Sequence, residues 1–317
     1  MSKKIENITV IGAGTMGHGI AQLFALSDFQ VTLYDVSLEI LEKAIPRIQD
    51  NLQTSIKHGI LSADEVKEIP DRITITTDLD TAASQADYII EAVVEDLEVK
   101  LILLSELDET CPAHAILTST TSSYCVRDMA VALTHPERFL VTHFWNPPYL
   151  IPVVEVMPGD VTSPEVVETT YKLLKDVGKY PAMVNNDVPG FVGNRLQHAL
   201  RREAISIVAQ GIASPEDVDL ITKLSFGLRL PVVGPLETVD LGGLDLTQAI
   251  QTYLLPELEN STESLQLIRD KVERGELGAK AGKGFYDWPP GRAEEVIQRR
   301  DETLIELVIL LKKHGFL

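Results

Sequence analysis

Two residues stand out because their chemistry lies inside apolar sequence. His143 closes the run Phe139-Leu140-Val141-Thr142-His143, and Glu155 interrupts Pro152-Val153-Val154-Glu155-Val156. Both runs have the β-branched and aromatic composition of strands. A carboxylate in such a strand is costly unless something pairs with it. An imidazole is the partner at hand: the glutamate would orient the ring and favour its protonated form once it has accepted a proton. Such a pair suits general-base chemistry, the removal of a hydroxyl proton while hydride leaves the same carbon. Hydroxyls follow a third strand-like run, where Ala115-Ile116-Leu117-Thr118-Ser119 continues into Thr120-Thr121-Ser122-Ser123. Ligands of open α/β sheets gather beyond the carboxyl ends of the strands, so these hydroxyls are candidates for holding a substrate oxygen. The residues alone do not choose between Ser122 and Ser123. The other histidines, His18, His58, His114, His135, His198 and His314, have no comparable setting. His18, early in a helix, is expected to cap it or face solvent. No HxH or HExxH spacing occurs, so no metal site is expected.

A leaving hydride needs an acceptor, and the amino-terminal segment has the pattern that binds one. The β-rich run Ile8-Thr9-Val10-Ile11 ends in Gly12-Ala13-Gly14-Thr15-Met16-Gly17, and Ile20, Leu23 and Phe24 then follow at helical spacing. Val31-Thr32-Leu33-Tyr34-Asp35 returns as a second strand ending in an acid. Strand, glycine turn, helix, strand and acid in this order form the dinucleotide-binding fingerprint. Gly12 permits the tight turn, Gly14 clears the approach of a pyrophosphate, and Gly17 lets the helix pack on the sheet. The helix amino terminus supplies donors and a favourable dipole. Asp35 can accept both adenosine ribose hydroxyls. Its charge would repel a 2′-phosphate, and Val36 and Ser37 offer no arginine, so the expected cofactor is NAD rather than NADP.

Further strands are expected at Ile73–Thr76 and Tyr88–Val93. The long helical stretch from about 38 to 66 exceeds what a crossover requires; it reads equally as a clamp over a substrate tail or as a solvated hairpin. Beyond Asp187-Val188-Pro189-Gly190-Phe191 the α/β alternation stops. Helix follows from Asn194 to about Gln210, and Ser214-Pro215-Glu216-Asp217 has the N-cap, proline and acid of another helix start. The fold class expected is therefore a Rossmann-type α/β dinucleotide-binding domain over residues 1–187, followed by an all-α domain over 188–317. Asn194, in the first turn of its helix, reads equally as a ligand contact or a cap. An apolar stretch near the end, Leu304, Leu307, Val308, Ile309 and Leu311, fits either a dimer contact or an internal core.

Composition narrows the rest. At 317 residues two domains are the natural expectation, and 44% hydrophobic with 24% charged residues describes an ordinary globular chain. A net charge of −19 argues against nucleic acid as a partner. Neither a secretory leader nor a run of roughly 20 apolar residues is present, so a cytoplasmic location and no membrane span are expected. Cys111 and Cys125 are too few for a disulfide framework and read as thiols in a reducing compartment.

Taken together, the glycine turn, Thr121-Ser122-Ser123, His143-Phe144-Trp145-Asn146-Pro147, Val154-Glu155-Val156, Asp187 through Arg195 and Gly282-Lys283-Gly284-Phe285-Tyr286-Asp287 resemble the L-3-hydroxyacyl-CoA dehydrogenase family, of the 3-hydroxybutyryl-CoA dehydrogenase type, over nearly the whole chain. The resemblance implies His143 as base, Glu155 as its partner, and Ser122 and Asn194 around the reacting oxygen and neighbouring carbonyl. It places NAD against Gly12, Gly14, Thr15, Met16, Gly17, Asp35, Glu95 and Lys100. The implied reaction is reversible oxidation of a short L-3-hydroxyacyl-CoA to the 3-oxo thioester. Three departures open an alternative. Thr120 stands where CoA users have Asn, Pro148 to Pro152 lacks their lysine, and the stretch Phe226 to Leu230 carries Arg229, which could pair with a substrate carboxylate. These features are similar to branches acting on small free hydroxy acids or alcohols, of the L-gulonate and pyridoxine-degradation types. Gly278 through Trp288 stays close to the butyryl-CoA type, and Arg47 and Lys57 are the basic residues of the clamp region available to a CoA tail. A third class, an NAD-binding structural protein without turnover, would have no use for the set His143, Glu155, Ser122 and Asn194. A homodimer through the helical domain is the expected assembly.

Overall fold

The computed structural model describes residues 4–317, which divide into two compact units, one up to Asn194 and one from Arg195 onward. The first unit begins with β1 (Asn7–Ile11), α1 (Gly17–Leu26) and β2 (Gln30–Tyr34), followed by α2 (Leu38–Lys57) and the short α3 (Ala63–Val66). It continues through β3 (Ile73–Thr76), α4 (Leu79–Ala83), β4 (Tyr88–Glu91), α5 (Leu97–Thr110), β5 (Ile116–Ser119) and α6 (Val126–Ala130). It ends with β6 (Phe139–Phe144), β7 (Val153–Pro158), α7 (Pro164–Asp176), β8 (Tyr180–Met183) and the start of α8 (Gly193–Ala209). The eight strands form one sheet in the order β3-β2-β1-β4-β5-β6-β7-β8. All pairs are parallel except β6 with β7.

Strand alternation builds a core on each face of this sheet. Ile8, Val10, Ile90, Leu140, Val154 and Val156 point to one side, where α1, α2 and α7 cover them. Ile11, Ile89, Leu117, Phe139, Val141 and Met157 point to the other. A sheet covered twice leaves few positions for polar side chains except at strand ends. The order of strands also reverses direction between β1 and β4, which opens the crevice where such folds bind ligands.

The 38–66 stretch is a packed element. Leu41, Ala44, Ile48, Leu52 and Ser55 form the buried face of α2, and Asn51 Nδ2 donates to Gln22 Oε1 on α1 at 3.0 Å. Both cysteines are buried and unbridged, and burial pushes their thiols up, Cys125 to about 11. No helix among the described residues is long and apolar enough to cross a membrane.

The second unit is helical: the rest of α8, then α9 (Pro215–Leu224), α10 (Phe226–Arg229), α11 (Pro235–Gly242), α12 (Leu244–Leu254), α13 (Gln266–Glu273) and α14 (Arg292–Lys313). Ser214 accepts from Asp217 N and caps α9. Leu304, Leu307, Val308 and Leu311 are half-buried on α14, and Ile309 is exposed.

Close packing of α1 on the sheet depends on Gly17, where a Cβ would lie 1.7 Å from the Gly12 carbonyl oxygen, whereas a Cβ at Gly14 meets nothing within 4 Å. Gly17→Ala is therefore expected to lower stability by about 1–3 kcal/mol, the usual cost of overpacking, while Gly14→Ala leaves the apo-protein's melting temperature nearly unchanged. Thermal unfolding of the two variants checks this; equal midpoints would contradict it.

Candidate active site

The pairing register of β6 and β7 places His143 directly opposite Glu155. Their side chains lie on the same face as Phe139, Val141 and Met157, and both are buried. His143 Nδ1 donates to Glu155 Oε2 at 2.7 Å, which leaves Nε2 as the nitrogen able to accept a proton. The other carboxylate oxygen, Oε1, accepts the backbone N–H groups of Val192 at 2.9 Å and Gly193 at 3.0 Å, at the start of α8. Burial raises the Glu155 pKa, but the bonds from His143, Gly193 and Val192 outweigh it and the net shift is downward. Glu155 is thereby an anion fixed at both oxygens.

Two aromatic rings hold the imidazole from its flanks. Trp145 lies 5.1 Å from it and Phe191 5.3 Å, centroid to centroid. Phe191 is fully buried with φ +52, the left-handed region that a non-glycine residue occupies only under compulsion from its surroundings. Gly193 cannot be larger, because a Cβ there would stand 2.2 Å from Trp145 Cζ2. Neither Phe191 nor Trp145 was picked out as a site residue by the sequence. Their placement depends on a backbone turn and a ring contact that residue type does not reveal.

The polar loop after β5 is organised by Glu95. Its Oε1 accepts Thr121 Oγ1 at 2.7 Å, Ser123 Oγ at 2.7 Å, Ser122 N at 2.9 Å and Ser122 Oγ at 3.3 Å. Ser122 is half-buried, and its carbonyl accepts Asn194 Nδ2 at 2.8 Å, which ties the first turn of α8 to the loop. Burial raises the Glu95 pKa, but Ser123, Thr121, the Lys100 charge and the Ser122 N–H bring it to about 2.

Lys100 is placed unlike a ligand-facing lysine. It is 1% exposed, and its Nζ lies 2.7 Å from Glu91 Oε1 and 3.3 Å from Glu95 Oε2. Glu91 itself is 0% exposed and also accepts from Ser119 Oγ at 2.5 Å and Val93 N at 2.8 Å. Lys100 therefore bears on the crevice through Glu95. Glu91 is a site residue the sequence could have yielded, since an acid ending an apolar strand raises the same question there as at Glu155.

The glycine turn has the shape its spacing implies. Gly12 has φ +102, and a Cβ on it would meet the Ala92 carbonyl at 2.6 Å. The open space in front of Gly14 and the amino terminus of α1 make the cradle into which a pyrophosphate fits. Asp35 Oδ2 accepts Ala13 N at 2.9 Å, and Oδ1 accepts Ser37 N at 3.0 Å, so the acid at the end of β2 braces the turn itself. Thr15 is exposed at the turn, and Met16 precedes α1 with its side chain against the core. His18 differs from the expectation that it caps the helix or faces solvent: α1 is buried nearly all round, and the ring Nδ1 donates to the Gly14 carbonyl at 2.8 Å. Its pKa is lowered, chiefly by burial and further by the charge of Arg47, against the raising effect of the Gly14 bond. Arg47 thus lies near the turn. Lys57, ten residues further along α2, is about 15 Å away along the helix axis and is not brought to the same point. Arg229, at the exposed end of α10, belongs to the helical unit.

A dinucleotide cradle at the strand-order reversal, together with an imidazole held by a buried carboxylate, defines an NAD-dependent oxidoreductase. Comparison with known proteins makes the class specific. The NAD-binding domain of 3-hydroxyacyl-CoA dehydrogenase matches residues 7–188, and that enzyme's C-terminal domain matches residues 190–288. The chain belongs to the 3-hydroxyacyl-CoA dehydrogenase family. It is 31% identical to the 5-formyl-3-hydroxy-2-methylpyridine 4-carboxylate 5-dehydrogenase of Mesorhizobium japonicum, over 97% of this chain and 99% of that one. It is 39% identical to a probable 3-hydroxybutyryl-CoA dehydrogenase of Bacillus subtilis, over 90% and 98% respectively. A crystal structure of the 5-formyl-3-hydroxy-2-methylpyridine 4-carboxylic acid dehydrogenase, described as an NAD+-dependent dismutase, superposes with a TM-score of 0.91 at 31% identity, covering 98% of this chain and 99% of that one.

Because the folded pKa of Glu95 lies below the 4.5 of a free carboxylate, its stabilisation is complete at neutral pH and is lost as pH falls toward about 2. Glu95→Gln should therefore destabilise the protein most at neutral pH, with the difference from wild type shrinking below pH 4.5. Urea unfolding at several pH values tests the sign; a gap that widened on acidification would refute it.

Proposed function

We propose that the chain oxidises a hydroxyl, or a hydrated aldehyde, on a small organic acid with a free carboxylate, and that it does so with His143 as general base. NAD, when bound, accepts the hydride. His143 Nε2 takes the proton from the reacting hydroxyl, and Glu155, held by its bonds to Val192 and Gly193, stabilises the imidazolium that results. Ser122 Oγ and the Asn194 amide orient the reacting oxygen and its neighbour. Each is already fixed, the serine by Glu95 and the asparagine by the Ser122 carbonyl.

The observation that carries the choice of substrate is the closeness of the structural match to the pyridine-carboxylate dehydrogenase. That likeness runs through nearly the whole of both chains at a TM-score of 0.91, whereas a 3-hydroxyacyl-CoA dehydrogenase of Archaeoglobus fulgidus that also spans 98% of this chain superposes at 0.68. Thr120, the lysine-free stretch 148–152 and Arg229 as a carboxylate partner agree with it. The second reading, a short L-3-hydroxyacyl-CoA, is favoured by the higher identity to the Bacillus subtilis relative. An assay of NADH formation on a panel of free aromatic and aliphatic hydroxy acids and aldehydes, alongside 3-hydroxybutyryl-CoA, decides between them. Turnover of a free acid without thioester activity is expected; the reverse pattern would establish the second reading. His143→Ala should lower turnover by at least about 100-fold, the worth of a general base, with NAD still bound, and a near-normal rate in that variant would remove His143 from its role.

The helical unit also supports pairing with a second copy of the chain. Leu236 and Leu241 on α11 are each 80% exposed and Tyr253 on α12 is 84% exposed, among other apolar residues of these two helices. Apolar surface of this extent on neighbouring helices calls for a cover of similar character. Light scattering should give twice the chain mass for wild type and a shift toward monomer for Leu236→Glu/Leu241→Glu; a monomeric wild type would rule the pairing out.

A further inference from the structure

The outer face of α8 carries an unusual stripe of basic residues for so acidic a chain. Arg195, His198, Arg201 and Arg202 recur at helical spacing and line a cavity of about 680 Å³ closed on its other side by the 261–268 segment. Arg202 is half-buried, and its Nη1 donates to the Ser261 carbonyl at 3.2 Å, which fixes one wall. Arg195 and Arg201 are exposed, and neither makes an ion pair among the described residues. Three guanidinium groups, Arg195, Arg201 and Arg202, thus gather on the lining of one pocket, where an anion would offset their mutual repulsion. Acids are plentiful in a chain of net charge −19, yet only Glu263 reaches the lining. The remaining wall mixes the hydroxyl residues Ser261, Thr262 and Ser264 with apolar side chains, Leu265 and Ile268 foremost.

A guanidinium fork matches the two oxygens of a carboxylate or phosphate, and the volume falls within the range of small-molecule sites. We propose that this pocket binds a small organic anion, a carboxylate or phosphate on an apolar body, with Arg195 and Arg201 taking the charge and Leu265 and Ile268 the body. The pocket lies wholly within the helical unit, so the inference stands whichever substrate the NAD-binding unit serves. The anion has two possible sources, the reacting substrate itself or a separate ligand that adjusts the enzyme.

Calorimetric titration of the NAD-loaded protein with benzoate, and separately with inorganic phosphate, tests the pocket directly. Saturable binding is expected for at least one probe in wild type, weakened at least about tenfold in Arg195→Gln/Arg201→Gln, as loss of a charged hydrogen bond implies, and intermediate in Arg201→Lys. Melting temperatures of the variants, expected near wild type because both arginines are exposed, separate lost binding from lost fold. Where the bound probe competes with the hydroxy substrate in NADH formation, the anion is the substrate's own; where it does not, the anion is a separate ligand. Either pattern upholds the pocket. Equal affinity in wild type and the folded double variant, or no saturable binding of either probe, would overturn it.

Discussion

The carboxylate of Glu155 is the constraint on which the arrangement around His143 rests. It is buried in a strand, where an unpaired charge is prohibitively costly, so every one of its bonds has to be made. One oxygen takes His143 Nδ1 and the other takes two backbone N–H groups at the start of α8. Those N–H groups belong to the first, unsatisfied turn of a helix, which favours a negative partner. The same carboxylate therefore orients the imidazole and fixes the segment that carries Phe191 against it and Asn194 against Ser122.

The same solution recurs across the sheet. Acids end or interrupt strands at Asp35, Glu91 and Glu155, and each is tied down by backbone donors or a buried cation. Lys100 neutralises Glu91 in the interior and lies near Glu95, which in turn holds three residues of the Ser122 loop. Removing one member of such a buried network leaves its partner charged and unpaired, commonly a loss of about 3–5 kcal/mol. Rigidity of the crevice follows from that penalty: the hydroxyls of the Ser122 loop and the Asn194 amide are held by bonds within the chain.

Much of this was legible in the residues. The glycine turn, the terminal acid of β2 and the strands from β1 to β7 could be read because period, turn chemistry and composition agree there. His143 and Glu155 stood out as polar groups in apolar runs, and the strand register makes them opposite neighbours. Other features were hidden for identifiable reasons. Solvent exposure of His18 was the wrong expectation because α1 is wrapped on nearly every side, a consequence of packing that a helical stripe of three apolar residues does not convey. Lys100 reads as a surface cation until its two acid partners are located in space. The choice of Ser122 over Ser123, and the importance of Asn194, came from resemblance; side-chain type left both open, and the bond between Asn194 and the Ser122 carbonyl is a feature of the folded chain alone.

The account turns on one nitrogen. If Glu155 fixes the ring as its bond to Nδ1 indicates, neutral His143 carries its proton on Nδ1 and presents an unprotonated Nε2 to the substrate. Nitrogen-15 NMR of histidine-labelled protein with NAD bound, with the His143 signals assigned by their absence in His143→Gln, measures this directly. The account predicts a protonated Nδ1 and a bare Nε2 at a pH where the enzyme turns over. A ring protonated on Nε2 alone at that pH would contradict it.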